Sequence, residues 1–397
     1  AGKSWKDSLC HKMVMVGGFK EVLNMENMYY HPIWRVAVAI HVDDPIVFSR
    51  DEMGYTKTHD FLDQNFDTKG RQRLTQDNSI DYLSMELTLT PEYDITLTNR
   101  AKCLKLLEDA GMQDILPTTM PPMTKATLKA AMADDEPLTP AQNSVRLADN
   151  GRFGWLSQTT HIGLAVATSI AQGLKPTQGT RKVSHMMYQW VRAHLDDGLL
   201  SKCDDYSGLS VSSDADWAGM HSVNGEIRSR TGMVIMYNGT PVLWYTGLQK
   251  TTSSQWVDGT EPTSEPAIAR SSGNAELIAA SDTLTRALHF TFVAEELNIA
   301  VPRPIVIDLD ASAALGFLHN TGGGGKMKHI DIREGWVQQI RDKGTVTFNK
   351  VDGKLIPANF MTKLLERLEY NHEYQRLALV GKPAEADPEL DEDERSK

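Results

Sequence analysis

Cysteine is scarce in this sequence. Its 397 residues include only Cys10, Cys103 and Cys203, and no two of them form a Cys-x-x-Cys pair. An odd number of widely separated thiols argues against a disulfide framework and against a structural zinc site. The pattern indicates an intracellular protein in a reducing compartment, and it does not distinguish cytoplasm, nucleus and organelle matrix.

Long apolar runs and targeting patterns are also missing. No stretch of eighteen apolar residues occurs, so the sequence predicts no transmembrane helix and no membrane partner. Residues 1–5 show neither a secretory signal nor an arginine-rich transit peptide. The first residues are instead typical of the middle of a longer sequence.

Positive charge is in short supply, since 41 Lys and Arg against 52 Asp and Glu give a formal net charge of -11. Because contacts from Lys and Arg to phosphate supply most non-specific affinity for nucleic acids, any such contact has to be local. Seven carboxylates fall between residues 385 and 394. Such a block repels itself, so we expect a basic partner within a large assembly to hold this tail.

Two apolar segments, Val36–Ile40 and Pro45–Phe48, flank the tetrad His41-Val42-Asp43-Asp44. The pattern predicts a hairpin of two buried strands with paired carboxylates at its turn. Neighbouring carboxylates repel each other in a low-dielectric site and are tolerated when a divalent cation neutralises them. Asp43 and Asp44 are therefore candidate metal ligands, and a hairpin that serves only as core is the alternative.

The tetrad resembles the Tyr-x-Asp-Asp box of reverse transcriptases. Ala1-x-Lys3-x-Trp5 and Gly18-Phe19-Lys20 are similar to the segment that precedes this box in Ty1/copia-type retrotransposon polyproteins. The resemblance continues in the same order to about Leu365, through Phe61-Leu62-x-x-x-Phe66, Tyr82-Leu83-x-Met85-Glu86-Leu87 and Leu106-Leu107-x-x-x-Gly111-Met112.

The resemblance implies an incomplete polymerase. A two-metal polymerase site needs a further palm carboxylate on a strand upstream of the opening segment, and neither that strand nor the fingers is in this sequence. His41 stands where the family has an aromatic residue, and Pro45 removes a hydrogen-bond donor from a strand that should be internal. We therefore favour a relic hairpin, used as core, over a working polymerase site at Asp43 and Asp44.

The sequence predicts four regions. They are a partial reverse-transcriptase palm (1–116), a helical connection region (117–205), an RNase H-like domain (206–366) and a C-terminal extension with the acidic tail (367–397). Apolar residues at helical spacing predict helices within 101–110, 143–173 and 185–195. We assign no chemistry to these helices, and the Met and aromatic stripe of 185–195 is expected to be core.

From residue 207 the pattern changes to strands and helices in alternation. The predicted strands are 209–213, 231–237, 241–245, 305–309 and 345–348. Three meandering strands followed by helix-linked strands predict a mixed sheet with helices on its faces. The predicted fold class is thus α/β (α+β), with an RNase H-like mixed sheet behind the partial palm and the connection region.

Six motifs in this part resemble those of copia-type RNase H domains in the family's order. They are Ser213–Gly219, Arg228–Gly232, Asn274–Ala280, the segment around Asp310, Lys328–Arg333 and Ala358–Lys363. The resemblance implies four catalytic carboxylates that are also metal ligands: Asp214, Glu276, Asp310 and Asp331. Asp308, two residues before Asp310, is a possible substitute for it.

In such a site two Mg²⁺ ions about 3.5–4 Å apart activate the water and stabilise the departing oxygen. The resemblance implies that Asp214 bridges both ions, that Glu276 and Asp310 hold one, and that Asp331 holds the other. RNA or an RNA–DNA hybrid would then lie against a basic cluster of Arg228, Arg230, Lys326, Lys328, His329 and Arg333. His329 either protonates the leaving group or, as we favour, is a hydrogen-bonding residue at a helix start.

Several departures weaken substrate binding while leaving the carboxylates in place. Gly247-Leu248-Gln249 replaces a Ser-Lys-Lys-Gln sequence, and the loop 251–271 is longer and more acidic than usual. Gly322–Lys326 is no phosphate-binding P-loop, because no Ser or Thr follows its Lys.

Three functions are compatible with these observations. A retrotransposon fragment adopted as an RNA-binding or structural subunit of a large ribonucleoprotein, such as an organellar ribosome, is slightly favoured. An active, Mg²⁺-dependent ribonuclease H that cuts RNA in RNA–DNA hybrids is the alternative. A degenerate polyprotein piece without a cellular role is the third.

Overall fold

The computed structural model describes residues 2–221, 227–249, 269, 271–320, 332–377 and 379–380. The chain divides into two compact units: the first holds residues 1–73 and 285–302, and the second holds 74–284 and 303–397. The boundaries of the four predicted regions do not coincide with those of the two units, and the regions remain a prediction. No helix within the described ranges combines the length and the apolar character that crossing a membrane requires.

The first unit is built on a four-stranded antiparallel sheet in the order β1-β2-β3-β4. Its elements are α1 (Gly2–His11), a π-helical turn (Lys12–Val16), β1 (Lys20–Glu21), β2 (Met28–His31), β3 (Val36–His41), β4 (Asp44–Ser49) and α2 (Glu52–Asn65). Met13, Phe19 and Tyr29 lie in its core with Val36 and Phe61. The predicted hairpin is present as β3 and β4.

The β3–β4 hairpin differs from the prediction in its burial. His41 pairs with Asp44 across a turn in which Val42 has a positive φ of 57°. β3 buries alternate residues, whereas β4 is exposed or half-buried because it is the last strand on its side of the sheet. Asp43 and Asp44 are exposed and are not part of the core. Pro45 is tolerated because the outer edge of such a strand needs no hydrogen-bond donor.

The second unit contains the helical region. Its helices are α3 (Arg100–Asp109), α4 (Lys125–Ala133), α5 (Pro140–Thr159), a 3-10 turn (Ile162–Leu164), α6 (Ala165–Gly173) and α7 (Gln178–Ala193). Thr124, Thr139 and Thr177 begin α4, α5 and α7 with capping boxes. The single helical segment predicted over 143–173 is divided at 160–164, and the stripe of α7 is buried as predicted.

A five-stranded antiparallel sheet accompanies these helices in the order β14-β8-β7-β6-β5. The strands are β5 (Ile80–Tyr82), β6 (Met85–Leu89), β7 (Ile95–Thr98), β8 (Gly198–Ser201) and β14 (Leu379–Val380). β7 and β8 pair although about a hundred residues separate them, so the chain before and after the helices meets in one sheet. Helix α11 (Arg367–Arg376) precedes β14.

The remaining sheet has the predicted RNase H-like topology. Its strands are β9 (Leu209–His221), β10 (Ile227–Tyr237), β11 (Thr240–Leu248), β12 (Ile305–Leu309) and β13 (Val346–Lys350), in the order β11-β10-β9-β12-β13. The first three are antiparallel, while β12 is parallel to both β9 and β13. Helices α8 (Ser272–Glu296), α9 (Ser312–His319) and α10 (Ile332–Asp342) are connected to it. The predicted α/β fold class with a mixed sheet is confirmed.

β9 is longer than the sequence predicted. The predicted strand ends at residue 213 and places Asp214 at a strand end, whereas the observed strand continues to His221. Asp214 lies within it and pairs with Gly232 of β10. β10 begins at Ile227, four residues before its predicted start, and its additional residues pair with the additional residues of β9.

Candidate metal centre

Three carboxylates from separate elements meet at the centre of the RNase H-like sheet. Asp214 lies in β9, Glu276 lies in the second turn of α8 and Asp310 directly follows β12. One oxygen from each lies within 4.8 Å of the others. Asp214 and Glu276 are 2% and 7% exposed, and Asp310 is half-buried. The arrangement is therefore a compact acidic cluster that is open on the Asp310 side.

The register of two neighbouring strands brings Asp214 and Asp310 together. β12 is parallel to β9, and Asp308 pairs with Ser212. Asp310 and Asp214 each lie two residues further along, so their side chains emerge on the same face in the same direction. The structure places Asp310 in the cluster, whereas Asp308 accepts a hydrogen bond from Asn349 Nδ2 at 3.0 Å.

Small residues and buried hydrogen bonds position Glu276. Ala275 and Ala279 of α8 pack against Ala215 of β9, so the helix approaches the strand closely. Gln249 Nε2 donates to the Ala275 carbonyl at 2.8 Å and to Thr231 Oγ1 at 3.2 Å. In the sequence Gln249 belongs to a segment that departs from the Ser-Lys-Lys-Gln motif, and no sequence signal indicates its contact with α8.

Burial dominates the electrostatics of the cluster. It raises the pKa of Glu276 to about 9, and the charges of Asp214 and Asp310 add to the effect. It also raises the pKa of Asp214, although Lys363 and a hydrogen bond from Thr362 oppose the shift. Glu276 Oε2 is buried without a hydrogen-bond partner. The cluster therefore binds protons tightly when no other cation neutralises it.

The segment after β13 supplies polar contacts to Asp214. Thr362 Oγ1 donates a hydrogen bond to Asp214 Oδ2, and Lys363 Nζ lies 3.8 Å from the same oxygen. Lys363 Nζ also donates to Asn359 Oδ1 at 2.5 Å. Ala358–Lys363 is one of the six motifs that resemble copia-type RNase H domains, but no role was predicted for its residues. Spacing alone does not show that a segment about 150 residues away folds onto Asp214.

Glycine at position 232 allows this segment to approach. A Cβ atom there would lie 2.5 Å from Thr362 Cγ2 and 2.7 Å from the Ala358 carbonyl oxygen. Gly232 is the partner of Asp214 in the ladder, so the 3-10 turn Pro357–Met361 lies directly over the strand pair. The missing side chain thus gives Thr362 its position next to Asp214.

The chemistry of the cluster fits a divalent cation. Mg²⁺ prefers hard oxygen ligands, and carboxylates from separate elements suit it. Glu276 Oε2 has no partner among the described residues and is therefore available as a ligand. A bound cation would also offset the repulsion between the three carboxylates. Asp214, Glu276 and Asp310 are the residues that would hold it.

Most of the remaining predicted site residues fall in parts of the chain that the structure does not describe. Asp331, Lys326, Lys328 and His329 lie outside the described residues, as do the acidic tail and most of the loop 251–271. Arg333 belongs to α10, which begins at Ile332, and the position of its side chain is not described.

Arg228 and Arg230 were predicted to contact nucleic acid at the surface, but both make hydrogen bonds within the protein. Arg230 is 2% exposed, and its guanidinium donates to Ser169 Oγ at 2.7 Å and Thr246 Oγ1 at 3.0 Å. Arg228 is half-buried and donates to the Gln249 carbonyl at 2.5 Å. Residues 229–235 of β10 are all buried, so Arg230 offers no surface to a nucleic acid in the observed conformation.

Comparison with known proteins identifies similar retrotransposon proteins, whereas no protein-family profile matches the chain. The Retrovirus-related Pol polyprotein from transposon TNT 1-94 of Nicotiana tabacum is 23% identical over 348 residues, which are 84% of this chain and 24% of that protein. The corresponding polyproteins from transposons RE2 and RE1 of Arabidopsis thaliana are 22% and 23% identical over 88% of this chain and 22% of each relative.

The resemblance to Ty1/copia-type retrotransposon polyproteins is thereby confirmed over most of the chain, which spans less than a quarter of the length of these relatives. Among solved structures, the foamy viral protease-reverse transcriptase in complex with an RNA/DNA hybrid is similar, with a TM-score of 0.40 and 14% identity over 80% of this chain and 36% of that one. Sequence similarity alone thus relates this chain to retrotransposon Pol polyproteins.

Proposed function

We propose that this protein is a divalent-metal-dependent ribonuclease H that hydrolyses the RNA strand of RNA–DNA hybrids. The observation that carries the proposal is the meeting of Asp214, Glu276 and Asp310 within 4.8 Å on an RNase H-like sheet. Such a buried set of three carboxylates is costly unless a cation neutralises it. The sequence similarity to retrotransposon Pol polyproteins supports the choice of substrate.

The chain's own residues prepare the site. The register of β9 and β12 holds Asp214 and Asp310 side by side, and the start of α8 brings Glu276 to them. The Thr362 hydroxyl fixes the orientation of the Asp214 carboxylate. Bound Mg²⁺ acts as a Lewis acid on the phosphate and lowers the pKa of its bound water. Asp331 is proposed as a further ligand on its sequence motif alone.

Polymerisation is not part of the proposal. Asp43 and Asp44 lie exposed at a hairpin turn in the other compact unit. Within the described ranges, no group of three or more potential ligands includes them. A two-metal transfer site needs a further carboxylate at this position.

Cleavage of a labelled RNA–DNA hybrid with Mg²⁺ tests the proposed function. We expect the wild-type chain to cut the RNA strand and Asp214→Asn to lower the rate more than about 100-fold, since residues that merely orient metal ligands already cost about 10- to 100-fold. Asp109→Asn, which alters an exposed carboxylate of α3, is the matched control and retains the wild-type rate. Cleavage that is unaffected by Asp214→Asn would rule out the proposal.

We propose as a second candidate that the chain is an adopted RNA-binding or structural subunit of a large ribonucleoprotein, such as an organellar ribosome. It is supported by the net charge of -11 and by β11, which carries Gly247 and Leu248 where copia-type nucleases have lysines. In cells that lack the protein, rescue of the growth defect by Asp214→Asn would favour this candidate. Rescue by the wild type alone would favour the nuclease.

A further inference from the structure

Asp214 has one oxygen that is already engaged within the protein. Its Oδ2 accepts the hydrogen bond from Thr362 Oγ1 and lies 3.8 Å from Lys363 Nζ. Thr362 is 1% exposed, whereas the Lys363 side chain is 40% exposed and reaches the cluster from its solvent side. A hydroxyl group and an ammonium group thus share the same carboxylate oxygen.

Other contacts hold the ammonium in this place. Lys363 Nζ donates to Asn359 Oδ1 at 2.5 Å, and Asn359 lies in the 3-10 turn that rests on Gly232. Lys363 is therefore fixed at two points, unlike a free surface lysine. Its charge also opposes the upward shift in the pKa of Asp214 and of Glu276, two of the three carboxylates of the cluster.

We propose that Lys363 supplies the second positive charge of this site, so that the cluster takes one divalent cation rather than two, while Thr362 holds Asp214 Oδ2 toward the lysine. A carboxylate that bridges two cations gives one oxygen to each. Here Oδ2 is the oxygen that Thr362 and Lys363 contact. A second cation at Oδ2 would also meet the like charge of the ammonium.

This inference rests on the proposed metal-dependent function and changes the number of cations that the site binds. The sequence resemblance predicts two ions bridged by Asp214, the second held by Asp331. Thr362, Lys363 and Asn359 become positioning residues for the metal ligands.

Counting bound Mn²⁺ in the full-length chain tests the inference. The protein is stripped with EDTA, dialysed and titrated with Mn²⁺, and free Mn²⁺ is measured by electron paramagnetic resonance. We expect one Mn²⁺ per wild-type chain, and also one in Lys363→Arg, which keeps the charge. Lys363→Met is expected to bind a second Mn²⁺, and Thr362→Val to bind its single ion about 10-fold more weakly.

The outcomes separate this inference from the proposed function. Two Mn²⁺ ions in the wild type, or an unchanged count in a Lys363→Met protein with a native circular dichroism spectrum, would overturn the role of Lys363. Lys363→Gln provides the same measurement if Lys363→Met does not fold. One Mn²⁺ in a protein that fails to cut hybrids would support the inference and contradict the nuclease. Absence of bound Mn²⁺ in the wild type would overturn both.

Discussion

Glu276 is the carboxyl group of the cluster whose pKa is raised far from its ordinary value, and burial is the main cause. Its carboxyl has a pKa of about 9 in the folded protein against an ordinary value of 4.5. Between these values the unfolded chain has lost this proton while the metal-free folded chain retains it. The folded state therefore binds more protons, and its stability falls as the pH rises from 4.5 to 9.

The corresponding prediction concerns Glu276→Gln in EDTA. The variant has no proton to lose, so its free energy of unfolding should decline less steeply between pH 5 and pH 9 than that of the wild type. One proton corresponds to a slope of at most about 1.4 kcal/mol per pH unit. Urea unfolding at each pH measures the slope. Asp308→Asn, a carboxylate on β12 outside the cluster, is the matched control, and identical slopes in wild type and Glu276→Gln would contradict the prediction.

The acidic residues of the site could be predicted from the sequence, but their neighbours could not. Asp214, Glu276 and Asp310 each stand in a motif that resembles those of copia-type RNase H domains, and this resemblance located them. Lys363 and Gln249 act through contacts across the fold, which no local pattern records. Arg230 was predicted to belong to a basic cluster that contacts nucleic acid, whereas it is buried in a segment of β10 that is buried throughout.

Gly232 controls how the segment after β13 sits on the sheet. Because a side chain there would collide with Thr362 and the Ala358 carbonyl, we expect Gly232→Val to displace the 3-10 turn from β9 and β10. Overpacking of this kind costs about 1–3 kcal/mol in the free energy of unfolding. Urea unfolding measures this loss, and the hybrid assay should show a lower cleavage rate because Thr362 leaves Asp214.

The matched control for Gly232→Val is a glycine in open space. Gly316 lies in α9, and a Cβ there would meet no atom within 4 Å. Gly316→Ala should keep the wild-type cleavage rate and gain stability, since Ala is favoured over Gly in helices by about 1 kcal/mol. Equal behaviour of the two variants would show that the segment does not depend on Gly232.

Elements with strong local signals were predicted closely, and elements set by pairing were not. Helix α7 was predicted within 185–195 from its apolar periodicity, but it begins earlier, at Gln178, because Thr177 caps it. The turn between β10 and β11 contains Asn238 and Gly239, both with positive φ, as hairpin turns require. β9 was predicted too short because polar residues continue the strand beyond Ser213, where pairing with β10 rather than propensity decides.

At the scale of the whole molecule, the net charge of -11 restricts how the protein can bind nucleic acid. The proposed affinity for a hybrid must therefore depend on a few local Lys and Arg side chains. The slope of log K against log salt measures how many of them contact phosphate. Replacing Lys328 and Arg333 by Gln should reduce the magnitude of the slope of log K against log salt by about one for each residue. Fluorescence anisotropy in the inactive Asp214→Asn background measures this slope.

Lys105→Gln is the control for the salt experiment. Lys105 lies on α3 and pairs with Asp109 at 2.6 Å, in the helical region rather than in the RNase H-like sheet. Its replacement should leave the slope unchanged. If the Lys328 and Arg333 variants also keep the wild-type slope, the predicted basic cluster does not contact phosphate.

The central claim is that Asp214, Glu276 and Asp310 together hold a divalent cation. The most direct measurement is anomalous X-ray diffraction from crystals of the full chain soaked in Mn²⁺. We predict an anomalous peak in contact with oxygens of all three carboxylates, and loss of that peak in crystals of Asp214→Asn. Wild-type crystals with no anomalous peak among these carboxylates, at Mn²⁺ concentrations that fill other sites, would contradict the claim.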